Sequence, residues 1–166
     1  TVMSNFGMEK AFEERKIPFV RAKVGDRYVM QELKKRDWTI GGESSGHIIC
    51  LDKTTTGDGL VSALQVLTQI QFMGQPLHEL TGRMEMYPQT MINVRLPAGT
   101  NAAAVCELPA VVESVINAET TLADTGRVLL RPSGTEPVIR VMVEGQNKAR
   151  VNQCCEAISS VVESQL

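Results

Sequence analysis

The hydrophobic pattern of this chain changes at residues 82–88, where glycine and proline interrupt a helical pattern. Before this break, short amphipathic helical stretches alternate with short apolar segments, which is typical of α/β architecture. After it, alternate residues from Thr90 to Leu96 are suited to one buried face, which is typical of an antiparallel strand rather than a buried parallel one. We therefore predict a partial α/β domain at 1–81 with a mixed sheet flanked by helices. A linker or hinge follows at 82–88, and a small α+β domain at 89–166 has an antiparallel sheet packed on helices.

Individual elements are predicted from the same periodicities and from turn residues. In the first unit the predicted strands are 2–4, 18–21, 39–40 and 47–51, and the predicted helices are 7–16, 28–36 and a segment that begins after the capping residue Asp58. In the second unit the predicted strands are 89–96, 127–130 and 137–144, and the predicted helices are 109–118 and 148–163.

Composition restricts the possible functions. The chain has 166 residues, of which 43% are hydrophobic, so it can build a core. Its 17 lysines and arginines oppose 19 aspartates and glutamates, giving a net charge of -2, so nucleic acid and anionic membranes are not expected as partners. No apolar run approaches about 18 residues and no signal peptide is recognised, so we expect a cytoplasmic protein without a membrane span. Any anion site must be local.

Cysteine chemistry is not expected to carry the function. The four cysteines have spacings that fit neither a zinc site nor a disulfide framework: Cys50, Cys106, Cys154 and Cys155. The last two lie in an apolar helical pattern, which favours burial as small hydrophobic residues. A catalytic thiol would need a neighbouring base, and the chain has only His47 and His78.

The sequence Arg-Pro-Ser-Gly-Thr-Glu-Pro, which begins at Arg131, indicates a phosphate site between two strands. Gly134 opens a turn whose N–H groups can converge on an anion, and the hydroxyls of Ser133 and Thr135 add donors. Arg131 and Arg140 supply charge and planar donor geometry, with Arg140 on the strand face opposite the apolar side chains. The alternative is a surface turn with solvated arginines. A Walker-type loop is absent, so nucleotide hydrolysis is not favoured.

A second polar loop, Gly-Gly-Glu-Ser-Ser-Gly-His, ends at His47 between two predicted strands. Glu43 can accept hydrogen bonds from sugar hydroxyls, Ser45 can donate or accept, and His47 can assist proton movement. The alternative is a glycine-rich turn with polar tips. Asp26 and Arg27 form a third candidate at a turn after a predicted strand, for which a simple ion pair is the alternative interpretation.

Both loops match one family in order and spacing. The loop that begins at Arg131 resembles the phosphate-binding loop of the α-D-phosphohexomutases, and residues 42–47 resemble their sugar-recognition loop. Members of that family have four domains, and this chain resembles part of the third together with the fourth. Ser44 and Pro132 depart from residues that are common in these loops, and neither change removes a presumed ligand.

The resemblance implies an activity for the parent protein, most similar to amino-sugar members of the family. Such an enzyme interconverts glucosamine 6-phosphate and glucosamine 1-phosphate through a phosphoserine and a bisphosphorylated intermediate, and so feeds peptidoglycan precursor synthesis. A mannose or glucose phosphate mutase, or a non-catalytic sugar-phosphate-binding module, is the alternative. The phosphoserine and the magnesium site are expected in the missing amino-terminal domains, which would be this chain's partners. Neither catalytic residues nor metal ligands are therefore expected here, and the chain alone should be inactive.

Site residues are carried over from the family by motif. The resemblance implies that the phosphate that is not reacting is held by five residues: Arg131, Ser133, Gly134, Thr135 and Arg140. It assigns Glu43 and Ser45 to the sugar hydroxyls, with His47 as a further candidate.

Overall fold

The structure is a computed structural model that describes residues 1–82 and 84–166, and these form two compact units, Thr1–Met86 and Tyr87–Leu166. The boundary between the units falls inside the predicted linker 82–88. Arg83, which belongs to that linker, lies outside the described residues. Mobility at this linker stays a prediction.

The first unit has four helices and two short strands among its described residues. In chain order they are α1 Phe6–Glu14, α2 Asp26–Arg36, β1 Ile40–Gly42, β2 Ile48–Cys50, α3 Gly59–Met73 and α4 Leu77–Thr81. The two strands pair antiparallel, with Ile40 opposite Cys50. A small core forms where α2 packs on this pair, and its buried residues are Ala22, Val29, Leu33 and Ile49. The side chain of Asp58 accepts hydrogen bonds from Leu60 N and Val61 N, which confirms it as the N-cap of α3.

Two predicted strands of the first unit are wrong. Residues 2–4 form turns and residues 18–21 have irregular backbone. The two segments are linked through a hydrogen bond of 2.8 Å from Val2 N to Ala22 O. A strand requires a ladder of such bonds with a neighbour, so an extended apolar pattern alone did not produce one here.

The second unit is a three-stranded antiparallel sheet with helices packed on one face, as predicted. Its elements are β3 Gln89–Arg95, α5 Ala102–Cys106, α6 Pro109–Leu122, β4 Gly126–Pro132, β5 Val138–Gly145 and α7 Lys148–Ser164. The strand order is β3-β5-β4, so β5 is central. Helix α5 was not predicted, since five residues are too few for a clear helical period. Among the described residues no helix is long and apolar enough to cross a membrane.

The central strand β5 separates the core from the candidate site. Ile139, Val141 and Val143 have no exposed surface and belong to one hydrophobic cluster with residues of α6 and α7, of which α7 packs on β5. Burying such a side chain contributes roughly 1.5–3 kcal/mol, so this face holds the register of the strand firmly. Arg140 belongs to the opposite face, as the alternation predicted, because neighbouring residues of a strand point to opposite sides.

Candidate functional site

Two arginines lie directly opposite each other on neighbouring strands at the base of the loop 133–137, the predicted phosphate loop. In the antiparallel register of β4 and β5, Arg131 pairs with Arg140, and Asn93 of β3 pairs with Arg140 from the other side. Residues paired in this way share one face of a sheet, and like charges placed opposite each other are destabilising. This row of polar side chains therefore concentrates positive charge and hydrogen-bond donors at the sheet end from which the loop projects.

The loop that joins these strands is closed at its base and open at its tip. Ser133 N donates to Val138 O at 2.9 Å, and Val138 N donates to Glu136 O at 2.8 Å. At the tip, Thr135 N and Glu136 N point to Ser133 Oγ at 3.4 and 3.3 Å, which are long and weak hydrogen bonds. A Cβ atom placed on Gly134 would meet nothing within 4 Å. The tip thus has two N–H groups directed at one acceptor oxygen, and space for a ligand to approach.

Arg140 forms an ion pair with Glu136, a residue of the loop beside which it lies. Its Nη2 donates to Glu136 Oε2 at 3.0 Å, with 28% of the arginine and 60% of the glutamate side chain exposed. Glu136 had no role among the sequence predictions. Its position four residues before Arg140 was visible, but the pairing depends on a turn that brings the chain back beside β5.

The second polar loop is a tight connection between β1 and β2. Glu43 N donates to His47 O at 2.9 Å, and Gly46 N donates to Glu43 O at 3.0 Å. Gly46 has a φ of 96°, a backbone conformation that glycine adopts most readily. The side chains of Ser45 and His47 lie exposed at this turn. They are therefore accessible to a ligand, and a glycine-rich turn with polar tips would expose them equally.

Glu43 is the exception, since only 8% of its side chain is exposed. Its Oε2 accepts a hydrogen bond of 2.8 Å from Gly25 N, and its Oε1 lies 3.7 Å from Nδ1 of His47. One carboxylate oxygen is therefore occupied in holding the turn before α2, while the other faces the imidazole. This contact brings the third candidate turn next to the second loop.

Asp26 and Arg27 are placed beside the loop by that contact, but their own interactions are local. Asp26 Oδ1 accepts a hydrogen bond of 2.7 Å from Arg27 N. The guanidinium of Arg27 donates to the hydroxyl of Tyr28 at 2.6 Å and lies 4.5 Å from the ring centroid. The described side chains form no ion pair between Asp26 and Arg27, so the simple ion-pair interpretation is not what holds this turn. The backbone N–H of Gly25, which sequence analysis did not single out, is the group that joins the two segments.

Thiol and metal chemistry find little support in the described part of the chain. All four cysteines are free, and burial raises the pKa of the Cys106, Cys154 and Cys155 thiols, which disfavours the reactive thiolate. Among residues 1–82 and 84–166 no group of three or more His, Cys, Asp or Glu side chains could hold a metal ion. The side chains present therefore do not fit the magnesium that the family implies.

Family comparison identifies both halves of the chain. Residues 1–87 match the family described as "Phosphoglucomutase/phosphomannomutase, alpha/beta/alpha domain III", and residues 91–161 match "Phosphoglucomutase/phosphomannomutase, C-terminal domain". The chain belongs to this family, the phosphohexomutases.

More particular relatives bear the name phosphoglucosamine mutase. The protein of that name from Alcanivorax borkumensis is 55% identical over 163 residues, and those from Thioalkalivibrio sulfidiphilus and Legionella pneumophila strain Corby are 54% and 52% identical. These alignments cover 97–99% of this chain and 36% of each relative, so the chain spans about a third of the length of the curated relatives it matches.

Solved structures share the fold at lower sequence identity. An N-acetylglucosamine-phosphate mutase in its substrate complex has a TM-score of 0.77 and 20% identity, and covers 97% of this chain and 37% of its own. The Aspergillus fumigatus N-acetylphosphoglucosamine mutase in complex with GlcNAc-6P and magnesium has a TM-score of 0.75 and 16% identity, with 98% and 40% coverage. The expected fold class, an α/β unit followed by a small α+β unit, is therefore confirmed.

Proposed function

We propose that this chain is the sugar- and phosphate-recognition half of a phosphoglucosamine mutase, whose parent protein interconverts glucosamine 6-phosphate and glucosamine 1-phosphate. The observation that carries the proposal is the pairing of Arg131 with Arg140 at the base of a donor-rich loop. Two arginines paired on neighbouring strands are unfavourable without a counter-ion, and a phosphate dianion supplies one. The names of the relatives, at 52–55% identity, direct the proposal to the glucosamine phosphates.

In this function the loop holds the phosphate that does not react. The guanidinium groups of Arg131 and Arg140 bind its oxygens through charge-assisted hydrogen bonds, while the hydroxyls of Ser133 and Thr135 and the amides around Gly134 surround it. The long hydrogen bonds to Ser133 Oγ are readily exchanged for bonds to a phosphate oxygen. These residues orient the substrate, which at the ideal limit lowers a barrier by about 7–11 kcal/mol, and they transfer no phosphoryl group.

The loop between β1 and β2 holds the sugar in the same proposal. Ser45 and His47 are exposed and offer donors and acceptors to ring hydroxyls. Glu43 acts first through its bond to Gly25, which keeps the loop in shape, and its Oε1 is the oxygen left to accept from a sugar hydroxyl. Asp26 and Arg27 lie at the edge of this group, where they are candidates for a contact with a charged part of the substrate.

The reaction itself requires groups that the parent contributes. The family resemblance implies a phosphoserine that donates its phosphoryl group to the substrate, a bisphosphorylated intermediate that reorients, and recapture of the other phosphoryl group by serine. Magnesium supplies charge stabilisation to that transfer when bound. In this proposal its ligands, like the serine, belong to the amino-terminal domains, and this chain alone has no turnover.

An exposed apolar surface on α3 supports the proposal that further domains of the parent pack against this chain. Although the helix spans 15 residues, its only buried residue is Ser62. Large apolar side chains on one side of the helix, four and three residues apart, lie open to solvent: Leu60, Leu64 and Leu67. The matching family domain is described as α/β/α, which implies a sheet covered by helices on both faces, yet β1 and β2 have three residues each. We propose that further strands of this domain, from the amino-terminal part of the parent, cover this side of α3.

Substitution of Arg131 in the full-length parent tests the function. Arg131→Ala should lower kcat/KM for glucosamine 1-phosphate, measured in a coupled assay that detects glucosamine 6-phosphate, by at least ten-fold. A variant with unchanged kcat/KM would contradict the proposal. Rates on glucose and mannose phosphates, measured with the wild type in parallel, decide between this activity and the related phosphohexose activities, because Glu43 and Ser45 would serve either sugar.

A further inference from the structure

The proposed phosphate loop contains a carboxylate of its own. Glu136 lies between Thr135 and Pro137, and its Oε2 is 3.0 Å from Nη2 of Arg140. A negative charge in an anion site opposes the binding of an anion by simple repulsion. The position of Glu136 therefore cannot be explained by phosphate affinity alone.

The guanidinium of Arg140 can bind a ligand through its two Nη groups but not through Nε. Its Nε is buried and has no hydrogen-bond partner among the described residues, so this end of the fork faces away from solvent. The hydrogen bond from Nη2 to Glu136 lies in an exposed position, so this side of the group is already occupied. A phosphate that binds this guanidinium through two parallel N–H groups must take the place of the Glu136 carboxylate.

The local charge also favours replacement of the Glu136 carboxylate by phosphate. Arg131 and Arg140 with Glu136 carry a net charge of about +1 in the absence of substrate, and the carboxylate offsets the repulsion between the paired arginines. A phosphate monoester brings a charge of about −1.5 to −2 and satisfies the same guanidinium groups. The carboxylate and the phosphate are thus alternative counter-ions for Arg140.

We propose that Glu136 is a resident counter-ion that the substrate phosphate displaces from Arg140, and whose return to Arg140 promotes release of that phosphate. This inference rests on the proposed function. It assigns Glu136 the role of limiting ground-state affinity rather than adding to it. A mutase of this kind has to hold either end of its intermediate at one site, so a grip that can be exchanged favours reorientation and product release.

Removal of the charge from Glu136 tests the inference in the full-length parent. Glu136→Gln retains shape and hydrogen-bonding capacity but does not compete as an anion. We expect the KM for glucosamine 6-phosphate and the inhibition constant for inorganic phosphate each to fall about two- to five-fold, which is the size of an exposed ion pair. The difference from wild type should shrink as salt concentration rises, and kcat should not increase.

Glu113→Gln is the matched control, because it removes the same charge from an exposed position on α6. It should leave both constants unchanged, and thermal unfolding of each variant verifies that it is folded. Unchanged or increased constants in Glu136→Gln would overturn the inference, the latter because Glu136 would then orient Arg140 for binding.

The Arg131→Ala experiment distinguishes failure of the proposed function from failure of the counter-ion role of Glu136. If Arg131→Ala retains full activity, the phosphate loop is not a substrate site and the proposed function fails. If Arg131→Ala is impaired while the constants of Glu136→Gln do not fall, the loop is a phosphate site and only the counter-ion role of Glu136 is refuted.

Discussion

The most demanding test of the proposed phosphate site is the replacement of Arg140 by lysine. Arg140 lies at the centre of a polar row, with Arg131 on one neighbouring strand and Asn93 on the other. Lysine preserves the positive charge but replaces a planar fork of donors with one flexible ammonium group. Arg140→Lys therefore removes the bidentate geometry while it leaves the net charge of the site unchanged.

The expected magnitude follows from the contacts of this side chain. A hydrogen bond to a charged group is worth about 1.5–3 kcal/mol, so loss of one of the two bonds proposed between Arg140 and phosphate should lower kcat/KM about 10- to 150-fold. Stability should hardly change, because the ion pair with Glu136 is partly exposed and opposed by repulsion from Arg131. A change of ±0.5 kcal/mol corresponds to about 2–4 °C in the melting temperature of a unit of this size.

The assay compares kcat/KM and melting temperature of the full-length parent and its Arg140→Lys variant. Loss of activity with an unchanged melting temperature supports a role in substrate binding. Activity within two-fold of wild type would refute the reasoning, because charge alone would then be sufficient. A fall of ten degrees or more would also refute it, since Arg140 would then be a structural residue.

Two further predictions concern the thiols and the exposed helix. Burial raises the folded pKa of Cys155 above its unfolded value, so the stability that its thiol contributes is present below the ordinary thiol pKa and is lost as pH rises through the folded pKa. The melting temperature should therefore fall between pH 8 and about 10.5, with a smaller slope in Cys155→Ala, and equal slopes in the two proteins would contradict this assignment. Leu64→Asp on the apolar side of α3 should destabilise the full-length parent by about 2–4 kcal/mol, because it would bury an unpaired charge, whereas Gln69→Asp on the opposite side of the helix should change stability by no more than about 0.5 kcal/mol. Equal urea midpoints for the two variants would show that nothing covers this surface.

The sequence predicted those elements whose formation depends mainly on their own residues, and it failed where formation depends on a neighbouring segment. Helices α2, α3 and α7 and strands β3 to β5 were predicted because a helical or alternating period extends over enough residues to be recognised. The strands predicted at 2–4 and 18–21 were wrong, because a strand exists only where a neighbour completes its ladder. Helix α5 was missed because it has only five residues, although Asn101 Oδ1 caps it by accepting hydrogen bonds from Ala103 N and Ala104 N.

The candidate site likewise has features that the local sequence determines and features that only the tertiary structure determines. Sequence alone determined which polar residues the loop 133–137 carries, the face of β5 on which Arg140 lies and the polar character of the loop at Glu43, because residue chemistry and strand alternation are local properties. The tertiary structure alone decided that Arg131 faces Arg140, that Glu136 turns back to the same guanidinium, and that Glu43 holds Gly25. Such pairings depend on strand register and chain reversal, which the packing of the whole unit determines, and a shift of one residue would move every side chain to the opposite face.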